Sequence, residues 1–217
     1  PSRDRVISTC RKMGIETVAV YSDADRYSMF VQEADEAYRI GPPPTNQSYL
    51  VMENILDVVK QTGAQAVHPG YGFLSENRHF QKLLQDNGVS FIGPPGPAIT
   101  AMGDKLESKK LAKIANVSTV PGYLGAIENE EQVIKISNEI TYPVMIKASA
   151  GGGGKGMRTA YNDKEAVEGY KLSKQEAMAA FGDDTIIIEK YIEEPRHIEF
   201  QILGDQHGNY VYLPERE

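Results

Sequence analysis

The chain has 217 residues, with 23 Lys+Arg against 30 Asp+Glu, a formal charge of −7, 41% apolar and 24% charged residues; this is globular composition, not that of a disordered tail. The acidic balance argues against a general nucleic-acid binder, which needs a net basic footprint, but it leaves room for a local basic pocket that takes a small anion. A single cysteine, Cys10, excludes an internal disulfide and a thiolate metal cluster and fits a reducing compartment, and the longest wholly aliphatic stretches, such as Ile186–Ile188, fall far short of the ~18 residues of a membrane span.

Val6, Ile7, Cys10 and Met13 recur at helical spacing and Gly14 supplies the stop. Ile15–Tyr21 is β-branched and reads as a strand, followed by a turn at Ser22–Asp25. A second strand is expected over Glu36–Ile40, ended by Gly41 and three prolines. Ser48 is expected to cap a helix through Gln61, with Leu50, Val51, Ile55, Val58 and Val59 on one face and Gly63 after it. A strand over Ala64–His68, a helix from about Glu76 to Asp86 and a strand over Val89–Ile92 follow. Short strands joined by helices predict a parallel sheet with covered faces.

The run Gly93-Pro94-Pro95-Gly96-Pro97 reads as a domain exit, with a polar helix at about Lys105–Ala115 beyond it. From about Thr119 the pattern changes. Pro143–Ala150 is a strand that runs into Gly151-Gly152-Gly153-Gly154-Lys155-Gly156, and Met157–Tyr161 is a strand again. Asp163 is expected to cap a helix to about Phe181. Thr185–Lys190 reads as a buried strand, and His197–Leu203 and Asn209–Leu213 as a hairpin turning at Gly204–Gly208.

Successive glycines followed by Lys155 suit a phosphate cradle, because backbone N–H groups without Cβ atoms approach an anion closely. A flexible hairpin tip is the alternative. A Walker A loop fails, since Gly156 stands where Ser or Thr must follow the lysine. The dinucleotide fingerprint fits literally as Gly151-x-Gly153-x-x-Gly156, but a strand follows it instead of the required helix. What remains is strand, glycine loop and strand, a flap that could fold over nucleotide phosphates.

Two lysines support that reading. Lys147 interrupts the apolar strand Val144–Ala148, where burial is costly unless an anion or carboxylate meets it; a sheet-edge lysine reaching to water is the bland alternative. Lys105 opens a helix, an unfavourable place for a cation that a bound phosphate would explain. The strand Thr185–Ile188 ends in Glu189-Lys190-Tyr191-Ile192, and such ends often open into a ligand crevice. In the next strand His197, Glu199 and Gln201 share one face, which suits a ribose or a metal-bound phosphate, or else is a solvated outer face.

Six segments in order carry a specific resemblance: His68-Pro69-Gly70-Tyr71-Gly72-Phe73-Leu74-Ser75-Glu76-Asn77, Met102-Gly103-Asp104-Lys105, Tyr142-Pro143-Val144-Met145-Ile146-Lys147, Gly151–Met157, Glu189-Lys190-Tyr191-Ile192 and Pro195-Arg196-His197-Ile198-Glu199. From about Arg5 to its last residue the chain resembles the biotin carboxylase component of biotin-dependent acyl-CoA carboxylases, an ATP-grasp family. The resemblance implies an α/β fold in which a Rossmann-like layer over residues 1–92, lacking its first strand, is followed by a linker with a helix (93–118), an ATP-grasp lid subdomain (119–191) and the start of a third subdomain (192–217). The chain is expected to be cut at both ends.

The implied chemistry is phosphorylation of bicarbonate by ATP to carboxyphosphate, with Mg²⁺ or Mn²⁺, and transfer of CO₂ to N1 of biotin. By resemblance Lys105 and Lys147 hold ATP phosphates and the flap of Gly151, Gly152, Gly153, Gly154 and Gly156 closes over them. Glu189, Lys190, Tyr191 and Ile192 hold the adenine, largely through backbone groups. His197 lies at the ribose, Tyr71 near the biotin ring and Glu199 close to the nucleotide. The metal-binding carboxylates and bicarbonate-binding arginines of the family are expected beyond Glu217, so no catalytic or metal residue is assigned in this chain. Implied partners are bicarbonate, a biotin carrier domain, a carboxyltransferase subunit and further copies in an oligomer, with no nucleic acid and no membrane. The implied location is the mitochondrial matrix in a eukaryote or the cytoplasm in a bacterium. Other readings are an ATP-binding module without catalysis, a carboxylase for another substrate such as pyruvate, and a nicotinamide-dependent oxidoreductase.

Overall fold

The computed structural model describes residues 2–103, 105–123, 125–148 and 157–217, with the backbone alone for Ser2, Lys105, Leu106, Ala180 and Phe181. The expected glycine flap, and Ser149 and Ala150 before it, lie outside the described residues. The chain divides into two compact units, Pro1–Asn116 and Val117–Glu217.

The first unit alternates helices and strands: α1 (Ser2–Lys12), β1 (Val18–Ser22), α2 (Met29–Glu33), β2 (Glu36–Gly41), α3 (Met52–Thr62), β3 (Ala66–Val67), α4 (Arg78–Asp86), β4 (Ser90–Phe91), α5 (Gly96–Gly103) and α6 (Lys105–Ile114). The strands pair in parallel, as expected, but in two separate ladders, β1 with β2 and β3 with β4. Both ladders feed one core, in which Ile40, Leu56, Val58, Leu74, Phe80 and Leu84 are buried and Val18, Val67 and Phe91 pack against them.

Several local expectations are corrected. Ser48 does not cap α3; its hydroxyl is buried and donates to the Pro44 carbonyl (2.9 Å), and the helix starts at Met52 behind Val51. The reason lies in Gly41, where a Cβ would stand 2.1 Å from the Gln47 carbonyl oxygen. The chain after β2 doubles back tightly on that glycine and draws Ser48 inward. The helix expected from Glu76 starts at Arg78, because the Asn77 side chain accepts from the His79 and Phe80 N–H groups. After the Gly93–Pro97 run, α5 begins at Gly96 and packs on α4.

The second unit contains α7 (Glu130–Ile140), β5 (Val144–Ala148), β6 (Met157–Ala160), α8 (Asp163–Phe181), β7 (Ile186–Lys190), β8 (Ile202–Gly204) and β9 (Tyr210–Tyr212). β5 is central in an antiparallel sheet of order β6-β5-β7, while β8 and β9 form a separate hairpin. Helix α7 is an element beyond those expected from the sequence; Val133 and Ile136 have helical spacing and are buried. Both long helices start alike. Asn129 and Asn162 accept from the N–H three residues on, and Gln132 and Glu165 reach back to the N–H of Glu128 and Tyr161. The cap of α8 is thus Asn162, not Asp163, whose carboxylate accepts from the Tyr142 hydroxyl instead (2.8 Å). Among the described residues no helix is long and apolar enough to cross a membrane.

Candidate functional site

Strand alternation gives the β6-β5-β7 sheet two unlike faces. Val144, Ile146, Ala148, Ala160, Ile186 and Ile188 point into the core, each at most 2% exposed, and α7 and α8 pack against this sheet. The intervening residues Met145, Lys147, Met157, Thr159, Ile187 and Glu189 share the opposite face and are half-buried or exposed. In register, Lys147 lies between Met157 and Ile187, and Met145 between Thr159 and Glu189.

On this face Lys147 Nζ lies 2.5 Å from Glu189 Oε2. The lysine that interrupts an apolar strand therefore has the carboxylate that its burial calls for. Beyond β7 the segment 121–123 runs alongside as a further strand: the Lys190 N–H donates to the Pro121 carbonyl (2.8 Å) and the Tyr123 N–H to the Ile188 carbonyl (3.0 Å). This places Gly122 opposite Glu189, and a glycine adds no side chain to the face there. The result is a shallow patch of polarisable methionines and an isoleucine with one cation and one anion among them. Such a surface suits a planar ring attached to an anionic group.

In the Glu189–Ile192 segment two of the backbone donors are already engaged. The N–H groups of Lys190 and Tyr191 are used inside the unit, by the carbonyls of Pro121 and Pro143 (2.8 and 3.0 Å). The Lys190 ammonium donates to the Thr141 and Tyr142 carbonyls (3.0 and 2.7 Å). β7 is flanked on both sides, so these two amides are not open donors for a base. Next to them, burial and the bond to Asp163 push the Tyr142 hydroxyl up to about 12.

Glu199 meets both His197 and Arg216. Glu199 and Arg216 exchange backbone hydrogen bonds (2.9 and 3.0 Å), and the Arg216 Nε donates to the Glu199 carboxylate. Arg216 Nη2 reaches Gln201 Oε1 (3.4 Å), and His197 Nε2 is 3.7 Å from Glu199 Oε2. The Arg216 bond holds the Glu199 carboxyl below the usual carboxylate range. The shared face of His197, Glu199 and Gln201 was legible from alternation, but Arg216 was not, because Pro214 hides the return of the chain to strand pairing. His197 is 83% exposed at its side chain.

Tyr71 stands in the loop between β3 and α4 of the first unit and is 84% exposed. Lys105 opens α6 as expected, but its side chain lies outside the described residues. Among the described residues no group of three His, Cys, Asp or Glu side chains could hold a metal ion.

Residues 3–99 match the family described as biotin carboxylase, N-terminal domain, and residues 104–217 the family described as carbamoyl-phosphate synthase L chain, ATP binding domain. The chain is similar to the propionyl-CoA carboxylase alpha chain of Ruegeria pomeroyi, 64% identical over 98% of this chain and 31% of the relative. The mitochondrial alpha chain of Homo sapiens is 59% identical over 98% of this chain and 29% of the relative. Biotin carboxylase 1 of Bacillus subtilis is 51% identical over 98% and 47%. Among solved structures, a β-γ-ATP complex of Campylobacter jejuni biotin carboxylase superposes with a TM-score of 0.85 at 41% identity, over 98% of this chain and 48% of that one. The biotin carboxylase domain dimer of Hydrogenobacter thermophilus 2-oxoglutarate carboxylase, with MgADP, ADP and bicarbonate, gives 0.82 at 48% identity, over 99% and 47%. The chain thus spans about half the length of the biotin carboxylases and about a third of the propionyl-CoA carboxylase alpha chains.

Proposed function

The chain belongs to the biotin carboxylase family, and on that premise we propose that it forms part of an enzyme that carboxylates biotin on a carrier domain at the expense of ATP and bicarbonate. The observation that carries this reading is the order of two family matches, an N-terminal biotin carboxylase domain and an ATP-binding domain, over residues 3–99 and 104–217. The open sheet face supports it. When ATP is bound, it supplies the phosphoryl group that activates bicarbonate as carboxyphosphate. Lys147 would turn from Glu189 to the phosphates and neutralise charge, which is most of what a protein contributes to phosphoryl transfer. Met145, Met157 and Ile187 would hold an apolar ring beside it. Lys105 and the 151–156 loop would complete the phosphate site, with His197 and Glu199 toward the ribose. For the Glu189–Ile192 segment we retain the adenine role on the carbonyls and on Ile192, since the Lys190 and Tyr191 amides are used elsewhere. The described residues do not fit a metal site, so no step is assigned through Mg²⁺ or Mn²⁺ here.

We read residues 1–92 as the Rossmann-like layer, 93–118 as linker, 119–191 as lid and 192–217 as the start of the third subdomain. Tyr71 would lie near biotin. The carboxyltransferase partner, assembly into oligomers, and a mitochondrial or bacterial cytoplasmic location follow from the same reading. Identities of 59–64% to propionyl-CoA carboxylase alpha chains, against 51% to the Bacillus biotin carboxylase, favour propionyl-CoA over acetyl-CoA, methylcrotonyl-CoA or pyruvate as the final acceptor. The test is ADP release by the full-length protein. Release that requires both bicarbonate and biotin is expected; release indifferent to both overturns the proposal. With the carboxyltransferase subunit added, labelled bicarbonate should enter propionyl-CoA faster than acetyl-CoA.

A further inference from the structure

Phe73 has a backbone φ of +45°, a left-handed conformation that a bulky aromatic residue rarely adopts and keeps only where its surroundings hold it. Its ring is stacked on Tyr49, with centroids 5.4 Å apart and planes within 13°. Tyr49 is itself firmly held. It is buried, its hydroxyl donates to the Asp25 carboxylate and accepts from the Ser22 N–H (3.0 Å), and the Arg3 guanidinium sits 4.8 Å from its ring centroid. Leu74, the next residue, is buried in the core. The loop between β3 and α4 is thus gripped at Phe73 and Leu74, two residues from Tyr71. Tyr71 is 84% exposed and stands in a loop leaving a parallel strand, where ligands of open α/β layers gather.

We propose that Tyr49 is a positioning residue: through Phe73 it fixes the 70–73 loop so that the ring of Tyr71 is presented for contact with the heterobicyclic ring of biotin. The inference rests on the reading of Tyr71 given above. The Tyr49 ring, anchored by Ser22, Asp25 and Arg3 at the end of β1, makes the strained Phe73 conformation the stable one. Without the ring, Phe73 relaxes and Tyr71 loses its fixed place. A stacked aromatic pair of this kind is worth a factor of about 3 to 10 in an equilibrium.

The test uses the full-length protein with free biotin as substrate and hydrogen exchange as a second readout. Tyr49→Leu and Phe73→Gly should raise the KM for biotin about 3- to 10-fold with the KM for ATP unchanged, and should speed amide exchange across residues 70–75. Tyr49→Phe, which keeps the ring, should recover most of both. Combined with Tyr71→Ala, Tyr49→Leu should add nothing further to the biotin KM. Unchanged exchange in the loop overturns the proposal, and so does a parallel rise of the KM values for ATP and biotin. If Tyr49→Leu does not fold, Phe73→Gly and Tyr49→Phe decide the matter alone. A Tyr71→Ala protein with an ordinary biotin KM would instead remove the biotin assignment, and the exchange result would still decide whether Tyr49 sets the loop.

Discussion

Lys147 and Glu189 meet on the diagonal of two antiparallel strands, ammonium to carboxylate at 2.5 Å, on the half-open face of a sheet whose other face is closed. Glu189 is the register partner of Met145, two residues from Lys147 on the same face. That diagonal is within reach of two long side chains. At 25% and 12% side-chain exposure the pair is largely withdrawn from water without being sealed; on the ATP reading proposed above, this leaves the lysine within reach of a competing anion.

Lys147→Ala should therefore weaken ATP use by the full-length protein far more than Lys164→Ala, whose side chain is exposed at the start of α8. Loss of one partner from a desolvated charged contact costs ~2–5 kcal/mol, roughly 30-fold or more in kcat/KM for ATP. Equal steady-state kinetics for the two variants would count against the ATP assignment of this face.

Asn129→Ala and Asn162→Ala should each lower stability by about 1 kcal/mol, the usual cost of losing an N-cap oxygen. In a unit of this size that is a fall of about 4–8 °C in Tm. Thermal unfolding of Asn129→Ala and Asn162→Ala measures this; an unchanged Tm in either variant would show that its side chain does not cap the helix.

Tyr142 should titrate near 12, above an ordinary phenol, because burial and the bond to Asp163 favour its protonated form. A group whose pKa is raised on folding contributes stability that is complete below its unfolded value and is lost as pH rises through the folded one. That contribution thus holds below about pH 10 and disappears as pH approaches 12. Difference titration at 295 nm between the parent chain and Tyr142→Phe should isolate one phenol with this late midpoint, and a midpoint near 10 would contradict the half-burial of the ring and its bond to Asp163.

Glu199 should titrate below the usual carboxylate range while Arg216 is present. Its contribution is present above the unfolded pKa and is lost as pH falls through the depressed folded value. Arg216→Gln should move the Glu199 midpoint upward, and added salt should do the same more weakly because the pair is exposed. Carboxyl carbon chemical shifts followed against pH measure both effects; an unmoved midpoint in Arg216→Gln would show that the bond is not what lowers it.

Much of this chain could be read from local pattern. Alternation and helical spacing located most of the elements, the run of motifs from His68 to Glu199 carried the family resemblance, and one lysine in an apolar strand marked the sheet face that holds an ion pair. These signals are local, since side-chain period and turn chemistry act within a few residues. The Asn129-x-x-Gln132 cap that opens α7 is equally local.

What the sequence could not supply was which distant residues meet. That Lys147 pairs with Glu189, 42 residues away, depends on strand register. That Arg216 returns to Glu199 depends on pairing resumed after Pro214. That Ser48 turns inward depends on the absence of a Cβ at Gly41 beneath Gln47, and that Phe73, with its left-handed backbone, stacks on a tyrosine 24 residues earlier depends on how the two loops pack. Composition and spacing set which elements form, because each buries its own apolar face. Only packing decided these contacts, because the free energy that holds a charged or strained residue comes from partners the chain brings together after those elements exist.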